Sequence, residues 1–238
     1  MQFSIFILLI CLFISLYCVY VLANDDFIFL RKDVTMEKIF NMIFLGSFSG
    51  LFFARLFYGL FYEKNIFSNP LVFLLFPYFP GLSLLGGVVG IGVYLLFSMK
   101  RRENPLPLGR ICDIFSIAFL ISLSIGFVGF FMFSEESMGT VKLGAQAVAY
   151  FILFVIFLKF FLPRLLNGKF KEGTITFLFL ICFSMVSLIF NTFAKISILE
   201  YFKNFENIIS ILILLLSMGM FVWHEGLLLK IRQLKKGK

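Results

Sequence analysis

Seven apolar runs, each close to the length that crosses a bilayer, decide what this chain can fold into. They cover residues 3–22, 39–62, 82–97, 111–133, 143–161, 175–193 and 208–229. A helix needs roughly 20 apolar residues to span the hydrocarbon core. Lipid offers no partners to an open backbone, so only helices and closed barrels cross it, and no run alternates as barrel strands do. The predicted fold is all-α: one transmembrane domain over residues 1–238 with seven spans. The third run is short, and the apolar stretch before it is broken by Pro70, Pro77 and Pro80. That stretch reads as an interfacial or re-entrant piece rather than an eighth span. With 61% hydrophobic and 14% charged residues, a soluble domain, a disordered chain and a charged nucleic-acid-binding face are all excluded.

The net charge of +8 finds its explanation in the loops. With the N-terminus outside, the cytoplasmic segments hold Arg31, Lys32 and Lys38, then Lys100, Arg101, Arg102 and Arg110. Next come Lys159, Arg164, Lys169 and Lys171, and finally Lys230, Arg232, Lys235, Lys236 and Lys238. The opposite side holds Lys64, Lys142, Lys195 and Lys203, leaving Arg55 inside a span. A 16-to-4 division predicts N-out, C-in. The basic balance thus belongs to the membrane surface.

The first run has no Lys or Arg ahead of it and exceeds an ordinary signal h-region, so it is expected to stay as a span. It does not end in a lipid-modification box, since Cys11 follows Ile10 and Cys18 follows Tyr17 where a small residue is required. Cys11, Cys18, Cys112 and Cys182 show no metal spacing and read as small packing residues. His224 is the single histidine and, with Trp223 and Glu225, reads as an interfacial anchor. No metal, cofactor or His-based triad is expected, and no Walker-type phosphate loop is present.

Arg55 is the most informative residue. A charge at a helix centre costs about 2.5–3.5 kcal/mol on insertion scales, so it normally faces a partner or a cavity. At 1.5 Å per residue it lies roughly 10 Å from the end of its span, with Tyr58 and Tyr62 at i+3 and i+7 on its face. Gly46, Gly50 and Ala54 form a small-xxx-small stripe beside it. Arg55 is expected to point into the bundle near the outer leaflet, where a guanidinium suits a lipid phosphate. A snorkelling arginine or a buried Arg–Glu pair is the other reading. Small faces recur at Gly86/Gly90 and at Ser122/Gly126 with Gly129, predicting that spans two to four form the packed centre. Glu135 and Glu136 follow the fourth span, as partners for Arg55 or as a solvated loop. Asp113, at the start of that span, reads as a cap of its own helix rather than a catalytic acid.

These residues resemble the prolipoprotein diacylglyceryl transferase family of bacterial plasma membranes. Ala54-Arg55-Leu56-Phe57-Tyr58-Gly59-Leu60-Phe61-Tyr62 is similar to the family's second-span pattern A-R-L-G-Y-x-L-F-Y. Gly81-Leu82-Ser83-Leu84-Leu85-Gly86-Gly87 is similar to G-x-S-F-H-G-G and is followed by a basic turn, Lys100-Arg101-Arg102. Gly126 and Gly129 match the glycines of G-R-x-G-N, Glu135 the acid of N-G-E, and Gln146 the last residue of H-P-x-Q. Asn207 and Ser210 sit where Q-x-x-S opens the last span.

The resemblance implies a seven-span, N-out protein that moves diacylglyceryl from phosphatidylglycerol to a lipobox cysteine thiol. It needs no cofactor, and its partners are an anionic lipid and a precursor peptide. The lipid-binding set it implies is Arg55, Tyr58, Tyr62, Gly86, Gly87, Gly126, Gly129 and Gln146, with Arg55, Glu135 and Tyr62 as catalytic candidates. The chemistry needs a thiolate and cations for the leaving phosphate. At those roles the chain departs from the pattern. Leu85 replaces a His and Phe127 an Arg, Phe130 and Phe133 replace two Asn, and Ser187 and Asn191 replace an Arg and a Glu. Two classes therefore stand side by side: a transferase, and a silent relative that binds lipid or precursor as carrier or partner. A transporter is a weaker third, because buried ionisable groups are few and no repeat is seen.

Overall fold

A computed structural model describes residues 3–24, 26–32, 34–68, 73, 81–100, 107–133, 137–192 and 204–226. Among them every regular element is helical. The elements are α1 (Phe3–Asn24), α2 (Phe27–Arg31), α3 (Met36–Phe61), α4 (Leu84–Lys100), α5 (Leu108–Phe133), α6 (Ser137–Ile156), α7 (Leu162–Leu166), α8 (Thr174–Thr192) and α9 (Phe205–His224). A short 3-10 turn, Lys64–Ser68, follows α3. Among the described residues, six helical segments are long and apolar enough to cross a membrane: Ile5–Asn24, Met36–Phe61, Leu108–Phe133, Val141–Leu166, Thr174–Thr192 and Phe205–His224. The predicted third span is a helix of 17 residues, α4, shorter than the rest. The Pro-broken piece before it, Glu135, Glu136 and the chain beyond Gly226 lie outside the described residues.

Several boundaries move for local reasons. The fifth predicted span, 143–161, runs to Leu166, because the chain does not stop at Pro163. Proline has no N–H to bond the carbonyl four residues back, and the strain is taken up by a π turn over Phe157–Phe161. The helix then ends at Gly168 (φ +67°), whose N–H bonds the Leu165 carbonyl at 3.1 Å, while Lys169 N–H reaches the Arg164 carbonyl at 2.9 Å. The last helix is Phe205–His224 rather than 208–229. It starts early because the Asn204 side chain accepts the Glu206 N–H at 3.1 Å, a local N-cap.

The centre of the bundle is α5, not the trio of spans two to four. Its residues join both buried clusters. One gathers Ile117, Leu120 and Leu123 with Leu85, Tyr150, Phe157, Phe179 and Phe183. The other gathers Ile111, Ile114 and Ala118 with Val19, Ala23, Ile39 and Ile43. The reason is its small polar residues. Ser122 Oγ donates to the Cys11 carbonyl of α1 at 3.0 Å, and Ser124 Oγ donates to the Ala147 carbonyl of α6 at 2.9 Å. Small side chains let three backbones approach one another.

Helices α3 and α4 do pair as their small stripes predict. The contacts run antiparallel, from Ser83 N–H bonded to the Ala54 carbonyl at 3.0 Å, through Ser49 Oγ to the Gly90 carbonyl at 2.8 Å, to Gly46 beside Tyr94. A Cβ on Gly86 would sit 2.7 Å from the Phe53 carbonyl oxygen, and one on Gly90 would sit 2.7 Å from that of Ser49. Helix α4 therefore begins beside Ala54, well inside the length of α3. Large apolar side chains such as Phe13, Phe48, Leu96 and Leu215 cover the outside, as lipid contact requires.

Candidate functional site

Arg55 is 2% exposed although it sits within a span. Its Nη1 donates to the Gly81 carbonyl at 2.8 Å, and its guanidinium carbon lies 6.0 Å from the centre of the Tyr58 ring. Gly81 takes φ +136°, in the region that favours glycine, and a Cβ there would fall into the Tyr58 ring. The arginine thus reads an irregular piece of backbone at membrane depth, tolerated because it is buried in protein. Tyr58 and Tyr62 stack with centroids 5.5 Å apart, and Tyr62 is within hydrogen-bonding reach of Glu206 at the start of α9. Phe61 stacks on Phe205 with ring centroids 3.6 Å apart. Helix α3 therefore meets α9 at the Arg55 end of the bundle.

The structure brings Arg55, Tyr58 and Tyr62 together, with Gly86 and Gly87 against α3 one turn below. Gly126 and Gly129 are elsewhere. They face α1, where added Cβ atoms would meet Cys11 Sγ at 3.2 Å and Ile7 at 2.9 Å. Gln146 is buried on α6. Leu85, in the place of a family His, is packed into the apolar cluster with Ile117 and Phe183.

Two polar groupings at the ends of spans were not foreseen. At the Arg55 end, Lys142 is not a loop charge. It lies on α6 and its Nζ donates to Asn191 Oδ1 at 3.3 Å. Asn191 Nδ2 donates to Asn207 Oδ1 at 2.8 Å, and the hydroxyls of Ser187 and Ser210 are 3.3 Å apart. At the opposite end, Arg110 is also not a loop charge. Its Nε pairs with Asp26 Oδ2 at 2.6 Å, with side-chain exposures of 3% and 2%. Asp26 also accepts the Ile28 N–H at 2.9 Å and so caps α2.

Asp113 caps a helix, but not its own. It accepts Gly173 N–H at 2.7 Å, Thr176 N–H at 2.9 Å and Thr176 Oγ1–H at 2.9 Å, all at the start of α8. Glu225 reaches the same helix start, where its Oε1 accepts the Thr174 hydroxyl at 2.5 Å and the Lys171 N–H at 3.3 Å. His224 Nδ1 stands 3.5 Å from the same hydroxyl and its ring lies edge-on to Phe177, which ties the end of α9 to α8. The missed signal in each case was distance along the chain. These partners are 16 to 84 residues apart and no spacing rule links them.

Helices of membrane length, a cation buried among them and a polar seam between α8 and α9 define a multi-pass membrane protein with a charged site near one end. A family profile described as prolipoprotein diacylglyceryl transferase matches residues 2–223. The chain belongs to that family. Over 106 residues, 44% of this chain, it is 32% identical to a phosphatidylglycerol–prolipoprotein diacylglyceryl transferase of Fusobacterium nucleatum. The matched segment spans 35% of that relative, about a third of its length. No solved structure gives a significant match.

Proposed function

We propose that this chain is a plasma-membrane diacylglyceryl transferase, with Arg55 holding the phosphate of a phosphatidylglycerol-like lipid. The observation that carries the reading is the buried Arg55, aimed at Gly81 inside a segment that resembles the family's second-span pattern. In the proposed reaction a lipobox cysteine sulfur bonds to the diacylglyceryl carbon. The C–O bond to phosphate breaks, its electron pair leaves with glycerol phosphate, and the thiol proton is released. A guanidinium stabilises the charge that grows on the departing phosphate. Tyr62 and Glu206 stand close by, where a proton can be passed on. Glu135 remains a candidate by its place in the motif.

We further propose seven crossings with the N-terminus outside. Helix α4 rises about 26 Å over its 17 residues, near the thickness of the hydrocarbon core. Its antiparallel contacts with α3 run from Ser83 to Tyr94, which favours a full crossing. The 16-to-4 division of Lys and Arg then sets the hand, and the Arg55 end faces outward.

The test reconstitutes the full-length protein with labelled phosphatidylglycerol and a lipobox peptide. Diacylglyceryl-peptide that disappears in Arg55→Ala supports the transferase. Lipid retained without product converts the reading to the silent relative, and neither binding nor product refutes it.

A further inference from the structure

The seam of Lys142, Asn191 and Asn207 asks for an explanation beyond holding helices together. Asn207 and Ser210 are 0% exposed in α9, and polar side chains within a span are costly enough to be kept for a purpose. Joining α8 to α9 needs no cation, because the Asn191–Asn207 and Ser187–Ser210 contacts already do it. Lys142 is the second residue of the apolar segment Val141–Leu166, and its long stem could carry its head out to water. It turns inward instead, to an amide oxygen. An ammonium has three donors and Asn191 Oδ1 takes one. Among the described residues the only ion pair within 4.0 Å joins Arg110 and Asp26, at the other end of the bundle, so no described carboxylate neutralises Lys142.

The position matters as much as the charge. Lys142 lies in the second turn of α6, Asn191 in the last turn of α8, Asn207 in the first turn of α9 and Arg55 near the close of α3, so all four lie toward the same end. The described polar contacts run from Arg55 past Tyr58 and Tyr62 to Glu206, and from its neighbour Asn207 through Asn191 to Lys142. Glu206 is engaged by Tyr62. Two cations therefore flank the start of α9.

We propose that Lys142, oriented by Asn191, is a second cation for the phosphodiester of an anionic glycerophospholipid at this end of the bundle. The inference deepens the reading of Arg55 and rests on it for the class of lipid. Arg55 supplies a planar fork for two phosphate oxygens, whereas Lys142 supplies a point charge on a flexible stem. Together they select a negatively charged head group over a zwitterionic one, because a choline would bring its own cation against them.

The experiment places the full-length protein in phosphatidylcholine nanodiscs carrying a minor fraction of phosphatidylglycerol. Native mass spectrometry then counts the phosphatidylglycerol retained. Lys142→Met is expected to lower its retention about tenfold, the worth of one charge-assisted hydrogen bond. Lys142→Arg is expected to keep it, and phosphatidylcholine retention should not change. Lys142→Gln replaces the Met variant should that one not fold. Unaltered phosphatidylglycerol in Lys142→Met, with loss in Arg55→Met, overturns this inference and leaves the proposed transferase standing. No loss in either variant overturns both. A parallel titration with soluble glycerol phosphate separates lipid from free phosphate. If Lys142→Met weakens glycerol phosphate binding alone, the lipid assignment is wrong.

Discussion

Replacing Asp113 by alanine should destabilise the protein without touching the proposed lipid site. The carboxylate collects three hydrogen bonds from the first turn of α8, two from backbone N–H groups and one from the Thr176 hydroxyl. Interhelical hydrogen bonds in membrane proteins average about 0.6 kcal/mol and reach about 1.7. Three of them give about 2–5 kcal/mol. The upper part of that range is expected here, because Asp113 is 0% exposed and alanine leaves its donors facing a void. Asp113→Asn keeps one carbonyl oxygen and replaces the other by a donor. It retains either the Thr176 pair or the Gly173 bond, so its cost falls to about 1–2 kcal/mol. The assay is reversible unfolding of both variants in mixed micelles, alongside phosphatidylglycerol retention by the fraction still folded. The ordering should be wild type, then Asn, then Ala, with retention per folded molecule unchanged. An Ala variant as stable as wild type refutes the capping role. A stable Asn variant that has lost lipid or product would make Asp113 a functional acid instead.

Three further outcomes follow from the packing. Gly90→Leu should separate α3 from α4, since even its Cβ would stand 2.6 Å from that of Phe53. A cost of about 1–3 kcal/mol or more is expected by thermal melting. Arg110→Leu alone should cost about 3–5 kcal/mol by leaving Asp26 buried and uncompensated, while Arg110→Leu with Asp26→Leu should recover most of it in a double-mutant cycle. Leu85→His should not raise transfer activity and should lower the melting temperature, because the new imidazole would be buried among Ile117, Phe179 and Phe183.

What the sequence disclosed depended on how far apart the interacting groups lie. Spans, the stripe of Gly46, Gly50 and Ala54, and the shared face of Arg55, Tyr58 and Tyr62 are local patterns that repeat at helical spacing. Six of the seven runs reappear as helices of membrane length with shifted ends and the third as the shorter α4, while the stripe and the Arg55–Tyr58–Tyr62 face reappear as read. Partnerships across the bundle carry no such mark. Arg110 and Lys142 read as loop charges because each stands at the edge of an apolar run, where hydropathy cannot tell a loop from the opening turns of a helix. Asp113 gave the right chemistry for the wrong helix. Its carboxylate suits a helix start, but nothing in its surroundings along the chain shows that α8 arrives there. Gly109 allows that approach, since a Cβ on it would lie 2.9 Å from the backbone of Glu172. Gly126 and Gly129 failed in the opposite sense. A small residue permits close approach but does not say of what, and here the neighbour is α1.

The two ends of the bundle differ in how they answer their charges. At the end where α5 begins, Arg110 meets Asp26, while Asp113 and Glu225 take donors at the start of α8. Each of these charges is balanced by an opposite charge or by a helix N-terminus, so this end is complete as it stands. At the other end Arg55 and Lys142 donate to neutral oxygens, the Gly81 carbonyl and the Asn191 amide. For Lys142 the neutral oxygen orients the cation without discharging it. An oriented cation of this kind suits the anionic head group proposed above. The uncompensated Lys142, beside the buried Arg55, is what supports the proposed lipid site at this end. Pairing the cation there should weaken lipid binding: Asn191→Asp sets a carboxylate against Lys142 across the same 3.3 Å contact and gives up the bond donated to Asn207, so it should cost the fold about 1 kcal/mol or less while lowering phosphatidylglycerol retention. Retention equal to wild type in that variant would show that Lys142 serves only to hold α6 against α8.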